Sequence, residues 1–192
     1  IGPSYGLDSL LFKVESANPT GSYKDRFAAT AVSAMLAAGK RQCIATSSGN
    51  SGAALAAYCA AGGIDCEVAI VETAPIGKLQ QMLAYGARLR RVRGFGVDAA
   101  ITQATCERLE TLGGSERAAL QITAYRYSPV GMRGVESISF ELAEDAATSG
   151  APIDHVFVPA GGGGLALAVA RGFQRMVELG TLQRSPAVHV VQ

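Results

Sequence analysis

The sequence predicts an α/β protein, a three-layer αβα arrangement built on mostly parallel sheets. Three observations carry this reading. Short apolar runs alternate with longer Ala- and Leu-rich stretches of helical spacing from end to end. The runs, such as "VAIV" and "VFVP", are apolar throughout rather than every second residue, as strands covered on both faces require. Loops rich in glycine and serine follow several runs, at the carboxyl ends where parallel sheets gather their ligands.

Taken in order, Leu10–Glu15 reads as a strand and Asp25–Ala38 as a helix. Gln42–Thr46 is a short β-like run, then "SSGNSG" leads into the helix Ala53–Ala61. Cys66–Val71 is apolar and β-branched. Ile76–Tyr85 carries Ile76, Leu79, Met82 and Leu83 on one face and stops at Gly86, a natural C-terminal cap. Arg88–Val92 is the next strand, Val97–Leu112 a helix closed by two glycines, and Leu120–Thr123 a strand. Residues 124–130 have loop character, and Gly131–Ala147 is a long amphipathic helix. Val156–Pro159 is a buried strand, followed by four glycines, the helix Leu165–Leu179 and the strand Val188–Val191.

Composition removes several function classes. The 192 residues are 48% hydrophobic and 17% charged, enough apolar material for a sizeable core. Net charge is +1 and the densest basic stretch, Arg88 to Arg93, alternates along a strand, so nucleic acid is not expected as a partner. No apolar run reaches membrane-spanning length, and no signal peptide is visible. Cys43, Cys59, Cys66 and Cys106 show no C-x-x-C spacing and only His155 and His189 could join them, so no metal site is expected; buried thiols fit a reducing, cytoplasmic setting. The chain begins at Ile1 and stops inside an apolar run, which reads as cut at both ends.

Three loops hold the chemistry. In "PAGGGGLALAVARGF", Gly161, Gly162, Gly163 and Gly164 separate a strand from a helix. Bare backbone N–H groups and a helix N-terminus form a cradle for a phosphate; the alternative is a tight turn needed only for packing. The Gly-Lys-Ser/Thr of a Walker loop is missing. A dinucleotide fingerprint matches formally at Gly161, Gly163 and Ala166, but no acidic residue follows between Leu179 and Gln192, so a small singly phosphorylated cofactor fits better. In "ATSSGNSGAALAAY", Ser47, Ser48, Asn50 and Ser51 crowd a loop entering a helix and suit a carboxylate; an ordinary serine cap is the alternative. In "NPTGSYKDR", Lys24 stands at a helix start, where the dipole disfavours its charge. A neutral amine there is a nucleophile toward carbonyls; an exposed surface lysine is the competing reading.

"NPTGSYKDR", "SSGNSG" and "GGGG", in this order and roughly at these separations, resemble the pyridoxal-phosphate enzymes of the tryptophan-synthase-β type, known as fold type II. The resemblance covers about residues 10–192. It implies a two-domain architecture, here residues 25–125 as a smaller mobile domain, with 1–24 and 126–192 part of a larger cofactor-binding one. It implies that Lys24 bonds covalently to pyridoxal 5'-phosphate, that Asn50 hydrogen-bonds the cofactor's ring hydroxyl, that Ser47, Ser48 and Ser51 grip the substrate carboxylate and that Gly161–Gly164 wrap the phosphate. Tyr23 stands where the family most often has Phe. The residue that would face the pyridine nitrogen lies beyond Gln192. The implied activity is elimination or replacement on a small amino acid by a homodimer. The lysine's surroundings and Gly77–Gly94 are most similar to threonine synthases, which convert phosphohomoserine to threonine and phosphate. Arg26, Lys78 and Arg133 are candidates for the second anion pocket that reaction needs. The four glycines are more typical of serine/threonine dehydratases, and the serine loop is a little closer to cysteine synthases. A dinucleotide-binding protein or an inactive paralogue are the remaining alternatives.

Overall fold

The computed structural model describes residues 4, 6 and 10–192. The elements follow the alternation expected: α1 (Lys24–Ala37), β1 (Gln42–Thr46), α2 (Asn50–Ala61), β2 (Asp65–Ile70), α3 (Ile76–Ala84), β3 (Arg88–Arg91), α4 (Ala99–Gly113), β4 (Ala118–Gln121), α5 (Pro129–Ser149), β5 (His155–Pro159), α6 (Gly164–Glu178) and β6 (Ala187–Val191). The chain forms two compact units, one comprising Asn18–Gly134 and the other the chain up to Ala17 with Val135–Gln192. The expected segment 25–125 lies wholly within the first of these.

The Asn18–Gly134 unit is built on a four-stranded sheet of order β3-β2-β1-β4. Every pairing in it is parallel. Successive residues of a strand face opposite sides, and β1 shows how this makes three layers. The Cys43 sulfur meets Cys59 of α2, whereas Ile44, the next residue, packs with Leu109 of α4. One face of the sheet is therefore covered by α2 and the other by α4. Asp98 caps α4, its carboxylate accepting from the Ile101 N–H at 3.0 Å. An apolar cavity of about 420 Å³ remains between α4 and the sheet, with Arg90 and Arg108 among its lining residues.

The first turns of α5 lie against α1 within this unit. A Cβ on Gly134 would sit 2.2 Å from the Arg26 carbonyl oxygen and the Thr30 hydroxyl, so only glycine permits the approach. In the second unit β5 and β6 pair in parallel, with Phe157 opposite His189. Helices α5 and α6 pack there through Gly172, whose missing side chain lets the Ser139 hydroxyl donate to the Val169 carbonyl at 2.7 Å. The Arg175 guanidinium reaches the buried Glu136 carboxylate at 3.3 Å.

One expected strand does not form. Residues 10–14 have no ladder partner among the described residues, and Glu15–Ala17 is a single 3-10 turn. A strand exists only by pairing, and this segment is tethered another way: Lys13 makes ion pairs with Glu141 and Asp145 of α5 at 2.8 and 3.0 Å. Leu11, Phe12 and Val14 are left exposed.

Candidate active site

Lys24 is the first residue of α1, preceded by Tyr23 at the cap position, which offers no side-chain cap. Its amine lies 4.5 Å from the Tyr23 ring centroid, within cation–π range. Burial pushes its pKa down from 10.5 to about 8. The loop before it is held by Asp25, whose buried carboxylate accepts from the Thr20 N–H at 3.2 Å and the Thr20 hydroxyl at 2.8 Å. Gly21, at φ +83°, makes the turn that allows this reach, and its N–H donates to the Asn18 carbonyl at 2.8 Å. The Ser22 hydroxyl accepts from the Lys24 N–H at 3.3 Å. The lysine therefore stands on a clamped turn, one residue before a buried carboxylate.

The serine loop connects β1 to α2. Ser47 accepts from the Gly49 N–H and Ser48 from the Val71 N–H at the end of β2, both at 3.2 Å. The Ser51 hydroxyl accepts from the Thr123 hydroxyl at 2.7 Å. Because β1 and β4 are parallel neighbours, the 47–51 and 122–128 loops leave the same edge, and this bond joins them. Asn50 opens α2 and is exposed. A Cβ on Gly52 would meet the Ser47 carbonyl at 2.7 Å, so the second glycine of the loop is required by packing.

The glycine run lies in the other unit, between β5 and α6. Gly163 caps α6 in the left-handed region, at φ +75°. Added side chains at Gly161, Gly162 and Gly163 would meet nothing within 4 Å. Packing therefore does not demand three glycines, and backbone geometry demands one. The reading as a mere tight turn explains Gly163 and leaves Gly161 and Gly162 unexplained, whereas an anion that must approach bare backbone explains all three.

Of the three cations considered for a second anion pocket, Lys78 donates to Gln81 one turn on in α3 at 3.1 Å. Arg26 is half-buried in the first turn of α1, and Arg133 is exposed on α5. Several residues at the site had not been singled out from the sequence. They are Thr20 beneath the lysine loop, Thr123 beside the serine loop, and Ser128, whose buried hydroxyl accepts from the Ile122 N–H at 3.0 Å. Only the fold, by placing β4 next to β1, makes the last two visible.

A parallel sheet covered by helices on both faces, a second parallel pair, and polar and glycine-bearing loops at strand ends define an α/β enzyme fold. The comparisons narrow the class. The chain belongs to the pyridoxal-phosphate dependent enzyme family, whose profile matches residues 1–192. The threonine synthase of Mycobacterium tuberculosis is 33% identical over 175 residues, 91% of this chain and 46% of the relative. That of Methanocaldococcus jannaschii is 33% identical over 190 residues, 97% of this chain and 44% of the relative. The chain thus spans about half the length of these curated relatives. Among solved structures, a pyridoxal 5'-phosphate-dependent aspartate racemase superposes with a TM-score of 0.75 at 26% identity, covering 94% of this chain and 50% of that one. An O-ureido-L-serine synthase gives 0.71 at 26% identity, covering 93% and 54%. The fold is that of the fold type II enzymes, and the cofactor is pyridoxal 5'-phosphate. The residues present fit it, each loop taken by itself: a half-buried amine of lowered pKa suits its aldehyde, and the open backbone at Gly161–Gly163 suits its phosphate.

Proposed function

We propose that the protein is a threonine synthase-like lyase, converting phosphohomoserine and water to threonine and phosphate. The observation that carries the proposal is the placement of the Lys24 amine: it stands half-buried at the start of α1, on a turn clamped by Asp25. Burial there lowers its pKa to about 8, which favours the neutral, nucleophilic form. Lys24 would hold the cofactor's aldehyde, and its amine, when free, would take the substrate's Cα proton as general base. Gly161–Gly164 hold the phosphate and Asn50 the ring hydroxyl. Ser47, Ser48 and Ser51 fix the substrate carboxylate, so that the breaking bond is oriented before reaction. The cofactor, when bound, would supply an electron sink for charge developing at Cα. The choice of substrate rests on the curated relatives, which carry the name threonine synthase. A homodimer in a reducing, cytoplasmic setting completes the proposal; all four cysteines are free thiols.

Replacing Lys24 with Ala tests the role directly. The expected outcome is loss of the visible absorbance of the bound cofactor and a fall in turnover of about a thousandfold or more. An unchanged spectrum with unchanged turnover refutes it. A β-replacement activity is the second reading, favoured by the likeness to O-ureido-L-serine synthase. Release of phosphate from phosphohomoserine, 2-oxobutyrate from threonine or acetate from O-acetylserine separates the activities.

A further inference from the structure

Three of the four cysteines, unrelated by any sequence motif, meet inside the Asn18–Gly134 unit. Cys43 and Cys66 are register partners on the parallel strands β1 and β2, and Cys59 comes down from α2. Their three Sγ atoms lie within 4.8 Å of one another, and the residues are 0%, 6% and 0% exposed for Cys43, Cys66 and Cys59 respectively. Cys106, on α4, packs against the core on the opposite face of the sheet and takes no part. The charge near the cluster is Arg88, beside Cys66, and its guanidinium is already engaged by Asp65 and Glu67 at 3.6 and 3.7 Å.

Charge decides what such a cluster can hold. Three thiolates around a monovalent soft ion leave two negative charges in the core, and around a divalent ion they leave one and an open fourth position. An unpaired buried charge is heavily penalised. Among the described residues the cluster offers three sulfurs and no fourth His, Cys, Asp or Glu side chain. A trivalent soft centre bonded to three sulfurs is neutral and needs no fourth ligand. With bonds of roughly 2.3 Å, its pyramid places the sulfurs under about 4 Å apart, an adjustment on the order of an ångström from the 4.8 Å within which the fold gathers them.

We propose that Cys43, Cys59 and Cys66 form a binding site for a trivalent metalloid, with arsenic(III) as the representative ligand. Arsenous acid, uncharged at neutral pH, loses its three hydroxyls as three waters; the three protons come from the thiols and, for a sulfur already ionised, from solvent. Three As–O bonds are exchanged for three As–S bonds with no change of oxidation state. The bound centre ties β1, α2 and β2 together, and these are the elements that flank the serine loop.

The test adds arsenite alone to the native protein, with a phosphine as reductant. Intact mass spectrometry under native conditions is expected to show a single adduct heavier by one arsenic less three hydrogens, with a raised thermal midpoint. Cys43→Ala, Cys59→Ala or Cys66→Ala is expected to weaken binding at least a hundredfold, through loss of one arm of a three-point chelate. Cys106→Ala is expected to bind as wild type does. No native adduct, an adduct of undiminished affinity in Cys59→Ala, or dependence on Cys106 overturns the proposal. So does tighter binding of zinc or copper(I) than of arsenic. Should an Ala variant fail to fold by circular dichroism, the wild-type and Cys106→Ala melts still decide: an unshifted midpoint on arsenite overturns the site.

Discussion

Lys24 shows how one residue sets the chemistry and the stability of its surroundings in opposite directions. Burial lowers its pKa to about 8, so between pH 8 and the unfolded value of about 10.5 the unfolded chain binds more protons than the folded one. Stability contributed at this position therefore rises with pH across that window, and below it the folded state carries the full cost of a poorly solvated charge. Replacing Lys24 with Met is expected to stabilise the apoprotein at pH 7, with the gain shrinking toward pH 10.5. Paired urea titrations of wild type and variant measure that difference. Asp25 pulls the other way. Its carboxylate satisfies two donors of Thr20, and Asp25→Ala leaves a buried N–H without its acceptor, at an expected cost of about 1–3 kcal/mol. The same titration reads it, and the variant's visible spectrum is expected to change because the lysine's turn loosens.

Among the elements, two glycines that look alike in the sequence make opposite demands. Gly134 on α5 meets the backbone of α1, and Gly162 meets nothing. Gly134→Ala is expected to destabilise by about 1–3 kcal/mol or more, because backbone cannot rotate aside. Gly162→Ala is expected to leave the melting midpoint unchanged while cofactor affinity falls; a thermal melt and a cofactor titration on each variant separate the two. This contrast marks what was legible in advance. The strand–helix alternation and the positions of the glycine- and serine-bearing loops could be read because each is written in adjacent residues: an apolar run, a cap, a string of glycines. Residues 10–14 read as a strand on the same local grounds, yet a strand needs a neighbour, and nothing local reveals one. Thr123 and the trio of thiols were illegible for the complementary reason. Their partners lie 72 residues away in the case of Thr123, and on a different element for each thiol, so only strand order brings them together.

At the scale of the whole molecule the two units differ in how their backbone is protected. The sheet of the Asn18–Gly134 unit has four strands and a helix on each face, while the other sheet has two strands among the described residues. A two-stranded ribbon is weakly protected. Hydrogen exchange of the apoprotein is accordingly expected to be slowest at Cys43–Ala45 and Val68–Ile70 and markedly faster along His155–Pro159 and Ala187–Val191. Equal protection in the two sheets contradicts this. The four-stranded sheet also hangs on the parity of a single short strand. Cys43 serves the α2 layer and Ile44 the α4 layer, so deleting one residue from the turn Gly39–Arg41 and letting the strand slide to compensate interchanges their destinations. The thiol trio then loses its member from β1, and a bulky isoleucine is driven into the space a small sulfur occupied. Length in that turn is consequently under tighter restraint than its solvent-facing composition suggests, and a scan of single deletions through it should separate folding from non-folding chains at one-residue resolution.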